Sequence, residues 1–305
     1  MRQVFRDPDL QKAYDPVGHA QVDMLSPAEV QGILDELALM RPNDRFLPKH
    51  HSGQGFTFHC SFLDTNREYR RSVHDLIVRY FGERLDRCLK DFRILNCNFY
   101  VKPPKSGEFV VHQNWPAISD IDDTTVTVWC PLVDVVRENG ALQVVSGSHK
   151  LLPHIEGPNV RGYFDGFRQA MIDNWLKPIP MKAGQAMIFD DGLIHWSALN
   201  ESDLPRIAIQ ILCIPKDSQP AYWFFDEQRP DRFELIEADS DFFLEYDNSQ
   251  LTKRQPHWKS LGFMPNRNRA LTEPEFAALM KDGDRIRREL SARWKPGAVR
   301  MKGGA

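Results

Sequence analysis

Short runs of β-branched and aromatic residues follow one another between residues 92 and 215, and turn-forming residues separate them. Runs of this length with turns between them are typical of strands in a sandwich or barrel. Asn139-Gly140 is the strongest hairpin signal among the turns. The predicted strands cover residues 92–101, 109–114, 124–132, 141–145, 185–190, 193–198 and 206–214. Seven or eight such strands predict a mainly β protein built on a jelly roll.

Helical periodicity flanks this region. Residues 26–29 form a capping box with proline at the first helical position, and they open an apolar-periodic run. A second helix is predicted from about residue 67 to 89, where apolar residues recur at three- and four-residue steps. We expect both helices to cover one face of the sheet. A last helix is predicted after Thr272, with Glu275 at its third position.

The length of 305 residues suits one large β core with additions. We therefore expect a single domain over residues 1–305. Its helical N-terminal part reaches about residue 91, the jelly-roll core covers about 92–215, and a C-terminal extension covers about 216–305. Residues 151–176 are too many for a hairpin loop, so we expect an insertion over the barrel mouth.

Charge and cysteine usage bear on the partners and the compartment of the protein, and they leave its oligomeric state open. The 39 basic and 42 acidic residues give a formal net charge of −3, which favours neither nucleic acid nor a membrane surface. No apolar stretch is long enough for a membrane span, and the N-terminus does not resemble a signal peptide. The five cysteines include no CxxC pair and are expected to be buried free thiols. We expect a cytoplasmic protein.

Several polar residues are predicted to face the inside of the barrel. Side chains alternate along a strand, so His112 and Asn114 share one face, and His195 and Ser197 share another. In the last strand the isoleucines take one face, which leaves Arg206 on the inner one. A buried arginine needs an anion. Two histidines with one oxygen ligand are typical of non-haem Fe(II) oxygenases, and arginine is the natural partner of a dicarboxylate.

Three segments carry a resemblance to a known family: VHQNW at 111–115, TVWCPLVD at 127–134 and ENGALQVVSGSH at 138–149. They resemble the phytanoyl-CoA dioxygenase family of Fe(II)- and 2-oxoglutarate-dependent oxygenases. The spacing of His195, Ser197 and Arg206 agrees with that family. The resemblance spans about residues 92–215 and implies a double-stranded β-helix, a cupin-like jelly roll.

The resemblance implies roles for individual residues. His112 and His195 would bind Fe(II), and Arg206 and Ser197 would hold the far carboxylate of 2-oxoglutarate. Gln113 would lie close to that co-substrate. The leading hypothesis is thus an oxidoreductase, a dioxygenase that uses O₂ and 2-oxoglutarate to oxidise a C–H bond of a small organic substrate.

Asn114 departs from the family pattern, which has aspartate as the third metal ligand. Its amide oxygen can still coordinate, but the charge that offsets the iron is lost, so weakened activity is expected. Asn114→Asp is accordingly predicted to tighten Fe(II) binding. Asp120, Asp122 and Asp123 could supply the missing charge, although a solvated turn is the commoner role of such acids. The bulk of asparagine disfavours a halide site.

Other aromatic and histidine residues carry weaker expectations. Trp115 and Trp129 could line the substrate pocket or simply pack in the core. The histidines expected to be structural are His51, His59, His74, His149 and His154.

Two rival functions remain open. One is a catalytically silent relative that binds a small carboxylate or a metal, for which Asn114 is the support. The other is a cupin-like metal isomerase or hydrolase, but such proteins gather histidines more densely and give Arg206 no role. The aromatic residues 222–225 and the insertion favour a substrate of some apolar content.

Overall fold

The computed structural model describes residues 2–42, 57–151, 155–160 and 162–282. His51 and His154 lie outside these ranges. In chain order the main elements are α1 (Pro8–Val17), β1 (His19–Asp23), α2 (Pro27–Leu39), β2 (His59–Cys60), α3 (Arg67–Cys88), β3 (Phe92–Lys102), β4 (Val126–Pro131), β5 (Leu142–Val144), α4 (Arg168–Ala170), β6 (Lys177–Pro178), β7 (Gln185–Asp190), β8 (His195–Ser197), β9 (Arg206–Pro215), β10 (Ala221–Phe225), β11 (Arg232–Glu237), α5 (Ser240–Glu245), α6 (Asn248–Leu251) and β12 (Ser260–Pro265).

Two antiparallel sheets form the jelly roll. The larger has six strands in the order β1-β7-β4-β9-β3-β2, and the smaller has three in the order β6-β5-β8. The longest pairing joins β3 to β9 from Phe92↔Pro215 to Lys102↔Arg206. Lys102 at the end of β3 and Arg206 at the start of β9 therefore lie side by side at one end of the larger sheet.

Helices α2 and α3 cover the outer face of the larger sheet, as the apolar periodicity predicted. The capping box of α2 is formed by Ser26 and Glu29, and Asn66 caps α3. Apolar residues of both helices join one cluster with sheet residues such as Val128 and Ile209. This cluster packs on one face of the larger sheet. The opposite face points into the space between the two sheets.

Alternation along β9 decides which side chains enter that space. Ile209 and Ile211 belong to the cluster under the helices, whereas Arg206 and Gln210 line a cavity between the sheets. The predicted inward direction of Arg206 is confirmed.

Three parts of the fold differ from the expectation. Residues 109–114 are not a regular strand, because they pair with β8 only at isolated points such as His112↔His195. Strand β1 adds an unexpected edge to the larger sheet by pairing with β7. In the C-terminal extension, β10-β11-β12 form a third sheet, which contributes to an apolar cluster with Leu95 and Ile214 of the core.

The cysteines agree with the prediction of free thiols. All five cysteines are free, and only Cys88 is half-buried rather than buried. No helix within the described ranges is both long enough and apolar enough to cross a membrane.

Candidate functional site

His112 and His195 lie next to each other at the cavity wall. Their backbones exchange two hydrogen bonds, His112 N to His195 O at 3.0 Å and His195 N to His112 O at 2.9 Å. The ring centroids are 4.1 Å apart, and both side chains line the cavity. The cross-strand bridge thus brings together two potential ligands that are far apart in the sequence.

Hydrogen bonds fix the tautomer of both rings. His112 Nδ1 donates to Val110 O at 2.8 Å, and His195 Nδ1 donates to Leu193 O at 2.9 Å. A carbonyl can only accept, so each Nδ1 carries the proton and each Nε2 keeps a free lone pair. Burial and the neighbouring His195 lower the pKa of His112 well below its usual range, and burial lowers the pKa of His195 to about 4. Two neutral imidazoles are the form that binds a metal.

Asn114 lines the same cavity with its amide held from behind. Its Nδ2 donates to Thr127 Oγ1 at 2.7 Å and to Asp191 Oδ1 at 2.8 Å. Both NH₂ protons are therefore used, which leaves Oδ1 as the amide atom available to the cavity. Burial raises the pKa of the Asp191 carboxyl, and hydrogen bonds from Thr125, Thr127 and Asn114 oppose the rise.

The three acids considered as substitutes for an aspartate ligand lie elsewhere. Asp123 forms a bidentate pair with Arg2, with both contacts at 2.8 Å. Asp120 and Asp122 are exposed in the same loop, and Asp120 Oδ1 accepts from Asp122 N. Within the part of the chain that the structure describes, no group of three or more His, Cys, Asp or Glu is placed to hold a metal. The suggestion that one of these acids completes the site is wrong.

Arg206, the first residue of β9, lines the same cavity. It is 3% exposed, and its guanidinium lies over the ring of Trp129, 5.4 Å from the centroid. Its Nε has no hydrogen-bond partner among the described residues. Burial lowers the pKa of Arg206 to about 10, so it is still a cation at neutral pH. A buried guanidinium of this kind needs an anionic partner, and no described carboxylate forms a salt bridge with it.

Lys102 is a second buried cation that the sequence reasoning missed. It is 1% exposed and lies directly opposite Arg206 in the β3–β9 pairing. Its Nζ donates to Ser197 Oγ at 2.7 Å and to the carbonyls of Ser197 and Ala198. Burial is the main cause that lowers the pKa of Lys102 well below its usual range, and the positive charge of Arg206 is the second cause. Like charges directly opposite each other destabilise a strand pair, so this end of the cavity is built for an anion.

Gln113 does not join this group. It is buried, but it is not among the residues that line the cavity. Its Nε2 donates to Gly192 O at 2.5 Å, and its backbone N donates to Glu156 Oε1 at 3.3 Å. Because Gln113 lies between two residues that face the cavity, alternation turns it to the other side. The structure thus places Gln113 outside the cavity lining, and its contact with the co-substrate stays a prediction.

The cavity has a volume of about 460 Å³, which is within the usual range for a small-molecule site. Trp129 lies at the Arg206 end, whereas Trp115 packs edge-to-face on Phe62 with 5.9 Å between ring centroids. Part of the insertion also reaches the cavity, through residues such as Glu156 and Asp165. The wall away from Arg206 is mainly aromatic and includes Phe62, Trp115, Tyr222, Trp223 and Phe243.

Comparison with known proteins identifies the family of the chain. The sequence profile described as phytanoyl-CoA dioxygenase (PhyH) matches residues 20–208, more than half of the 305-residue chain. The chain belongs to this family. The matched residues of the phytanoyl-CoA dioxygenase family include Lys102, His112, Asn114, His195, Ser197 and Arg206.

Two curated relatives of the phytanoyl-CoA dioxygenase type are similar over part of the chain. Phytanoyl-CoA dioxygenase domain-containing protein 1 of Danio rerio is 25% identical over 145 residues, which are 45% of this chain and 50% of that protein. Phytanoyl-CoA dioxygenase 1 of Oryza sativa subsp. japonica is 26% identical over 126 residues, 41% of this chain and 44% of that protein. The chain thus spans about half the length of these relatives.

A solved structure shares the fold. HygX from Streptomyces hygroscopicus, crystallised with nickel and 2-oxoglutarate bound, superposes with a TM-score of 0.51 at 13% sequence identity. The match covers 69% of this chain and 88% of HygX. The mainly β jelly roll with flanking helices that the sequence predicted is confirmed.

The cavity residues fit the two groups that the phytanoyl-CoA dioxygenase family implies. His112, His195 and Asn114 offer two imidazole nitrogens and one oxygen on one wall, the donor set of a non-haem Fe(II) site with a neutral oxygen ligand. At the other end, the unpartnered Nε of Arg206 and the neighbouring Lys102 fit a carboxylate.

Proposed function

We propose that this chain is an Fe(II)- and 2-oxoglutarate-dependent dioxygenase that oxidises a C–H bond of a small organic substrate with O₂. One observation carries the proposal. A single cavity joins two neutral imidazoles to two buried cations that form no salt bridge with any described carboxylate. A 2-oxo dicarboxylic acid matches both ends, since one carboxylate can meet the cations while the 2-oxo acid end reaches the metal.

The chain's own residues hold and orient the reactants. Iron, when bound, supplies the activation of O₂ and the oxidation of the substrate. His112 and His195 would hold the metal through Nε2, while the carbonyls of Val110 and Leu193 keep the rings in place. Asn114 would contribute its amide oxygen.

Arg206 and Ser197 would hold the far carboxylate of 2-oxoglutarate. Lys102 Nζ donates to Ser197 Oγ, so the hydroxyl proton of Ser197 remains free to be donated to the co-substrate. Trp129 covers the guanidinium of Arg206 and keeps this end of the cavity dry. Exclusion of water strengthens the ion pair that the co-substrate would form.

The substrate would occupy the aromatic part of the cavity. Trp115 adjoins Asn114 in the sequence and packs against Phe62, so it lies beside the proposed metal centre. Glu156 and Asp165 add carboxylates to this mainly aromatic part of the lining. These residues favour an organic molecule with an apolar body and at least one polar group.

Lys102→Met should weaken 2-oxoglutarate binding by about 10- to 100-fold, because a buried charge next to the carboxylate is lost while the length of the side chain is kept. Calorimetric titration of the metal-free protein measures this change. Fe(II) binding should be unchanged, since Lys102 contacts Ser197 and Ala198 rather than either histidine. Equal 2-oxoglutarate affinity in the variant and the parent would remove Lys102 from the site.

Release of succinate tests the proposed reaction. Purified protein supplied with Fe(II), 2-oxoglutarate and air should form succinate above the level of a His195→Ala variant and of an anaerobic sample. The comparison is informative without the true substrate, because uncoupled turnover consumes 2-oxoglutarate by the same route.

A second candidate is a silent relative that binds the metal and 2-oxoglutarate without turnover. Asn114 favours it, since a neutral ligand takes the place of the family's carboxylate. Binding of both ligands with no succinate formation in air would select this candidate over the enzyme.

A further inference from the structure

We propose that Asp191 is a positioning residue for the metal centre. It turns the amide oxygen of Asn114 toward the cavity and supplies, from behind that amide, the negative charge that the family's aspartate would carry. The inference rests on the proposed function, because it concerns the metal that this function requires.

Asp191 contacts Asn114 through both backbone and side chain. Asn114 N donates to Asp191 O at 2.9 Å, and Asn114 Nδ2 donates to Asp191 Oδ1 at 2.8 Å. Thr127 Oγ1 donates to the same Oδ1 at 2.6 Å and accepts from Asn114 Nδ2 at 2.7 Å. The three residues form a closed triangle of hydrogen bonds in which the carboxylate is the final acceptor.

The triangle permits only one orientation of the amide. A carboxylate accepts and cannot donate, so the Thr127 hydroxyl must give its proton to Asp191 and receive one from Asn114. A reversed amide would place Asn114 Oδ1 against Asp191 Oδ1 and against a hydroxyl that has no proton left to donate. Thr127 is fully buried and Asp191 is 5% exposed, so water cannot relieve that conflict. Asn114 Oδ1 must therefore face the cavity.

The hydrogen bond between Asn114 and Asp191 also affects the charge balance at the proposed metal site. Two neutral imidazoles and a neutral amide would leave a divalent cation without a counter-charge in a buried place. Asp191 lies one hydrogen bond behind the amide ligand, and the low-dielectric interior makes a charge at that distance effective. The other acids weighed for this role, Asp120, Asp122 and Asp123, are in an outer loop.

The arrangement changes the expectation for Asn114→Asp. By itself this substitution would place a second carboxylate in hydrogen-bond contact with Asp191 Oδ1, where an NH₂ now donates. Like charges that close oppose each other. The simple gain in Fe(II) affinity expected from the sequence should therefore appear only when Asp191 is also made neutral.

A double-mutant cycle tests the proposal through metal affinity rather than activity. Fe(II) is titrated anaerobically into the parent, Asn114→Asp, Asp191→Asn and the double variant. Asp191→Asn retains an acceptor for the Asn114 amide while it removes the charge, and a thermal unfolding curve of each variant checks that the fold persists. In the parent background it should weaken Fe(II) binding by about 10- to 100-fold. In the Asn114→Asp background the same change should strengthen binding.

Asp190→Asn is the matched control. Asp190 is the adjacent acid, but its Oδ1 accepts from Gly192 N rather than from Asn114, so Fe(II) affinity should be unchanged in both backgrounds. An effect of Asp191→Asn that has the same sign in both backgrounds, or no effect, would overturn the role of Asp191 and leave the proposed function intact. Absence of Fe(II) and 2-oxoglutarate binding in the parent would instead refute the proposed function, and this inference with it.

Discussion

Arg206→Leu should weaken 2-oxoglutarate binding by roughly 30- to 4,000-fold, which corresponds to about 2–5 kcal/mol for the loss of one partner of a buried charge pair. The guanidinium is buried at the cavity wall, and its Nε has no partner among the described residues. Lys102 would remain, but its Nζ is already committed to Ser197 and Ala198. Calorimetric titration of the metal-free protein with 2-oxoglutarate measures the loss.

Arg232→Leu is the matched control for this variant. Arg232 also lies over an aromatic ring, that of Phe263 at 5.1 Å, but it is not among the residues that line the cavity. Its replacement should leave 2-oxoglutarate affinity unchanged. If Arg206→Leu and Arg232→Leu behaved alike, the anion end of the cavity would be misassigned.

His195→Ala should reduce Fe(II) affinity by more than 100-fold. Loss of a residue that only orients a ligand costs about 10- to 100-fold in metal affinity, and loss of a ligand itself should cost more. The fold should persist, since the core under the helices is built from other residues, such as Ile209 and Ile211. Anaerobic Fe(II) titration together with a thermal unfolding curve separates loss of binding from loss of structure.

His74→Ala serves as the comparison. His74 is a half-buried residue of α3 that does not line the cavity, so Fe(II) should bind its variant as it binds the parent. Stoichiometric Fe(II) binding by His195→Ala would mean that His195 is not a ligand.

The features predictable from the sequence were those with a local signal. The capping box of α2 and the periodicity of α3 depend on neighbouring residues, so the start of α2 and both ends of α3 were placed within about a residue. The alternation in β9 likewise determined which face receives Arg206. In each case the pattern and the physical cause lie within a few residues of each other.

The features that were missed depend on distant partners. Asp191 stands between a strand and a glycine and resembles an ordinary turn residue, and its contact with Asn114 spans 77 positions. Lys102 precedes two prolines and resembles a solvated strand end, but β9 places Arg206 opposite it. Strand β1 is short and half polar, so only its pairing with β7 makes it a strand.

The conformation of residues 109–114 was only partly predictable from the sequence. The segment was predicted as a strand, yet it meets β8 at only a few hydrogen bonds and then turns so that Asn114 N reaches Asp191 O. His112 and Asn114 nevertheless share the cavity while Gln113 does not. The alternation of side chains is therefore kept across residues 112–114 although the strand pairing is incomplete.

Anomalous diffraction at the iron edge would show where the metal binds. Crystals grown anaerobically with Fe(II) and 2-oxoglutarate should show one strong peak between His112 Nε2, His195 Nε2 and the Oδ1 of Asn114, with the far carboxylate of 2-oxoglutarate on Arg206. A peak at any other group of residues, or no peak in a protein that binds 2-oxoglutarate, would mean that His112, Asn114 and His195 do not hold the metal.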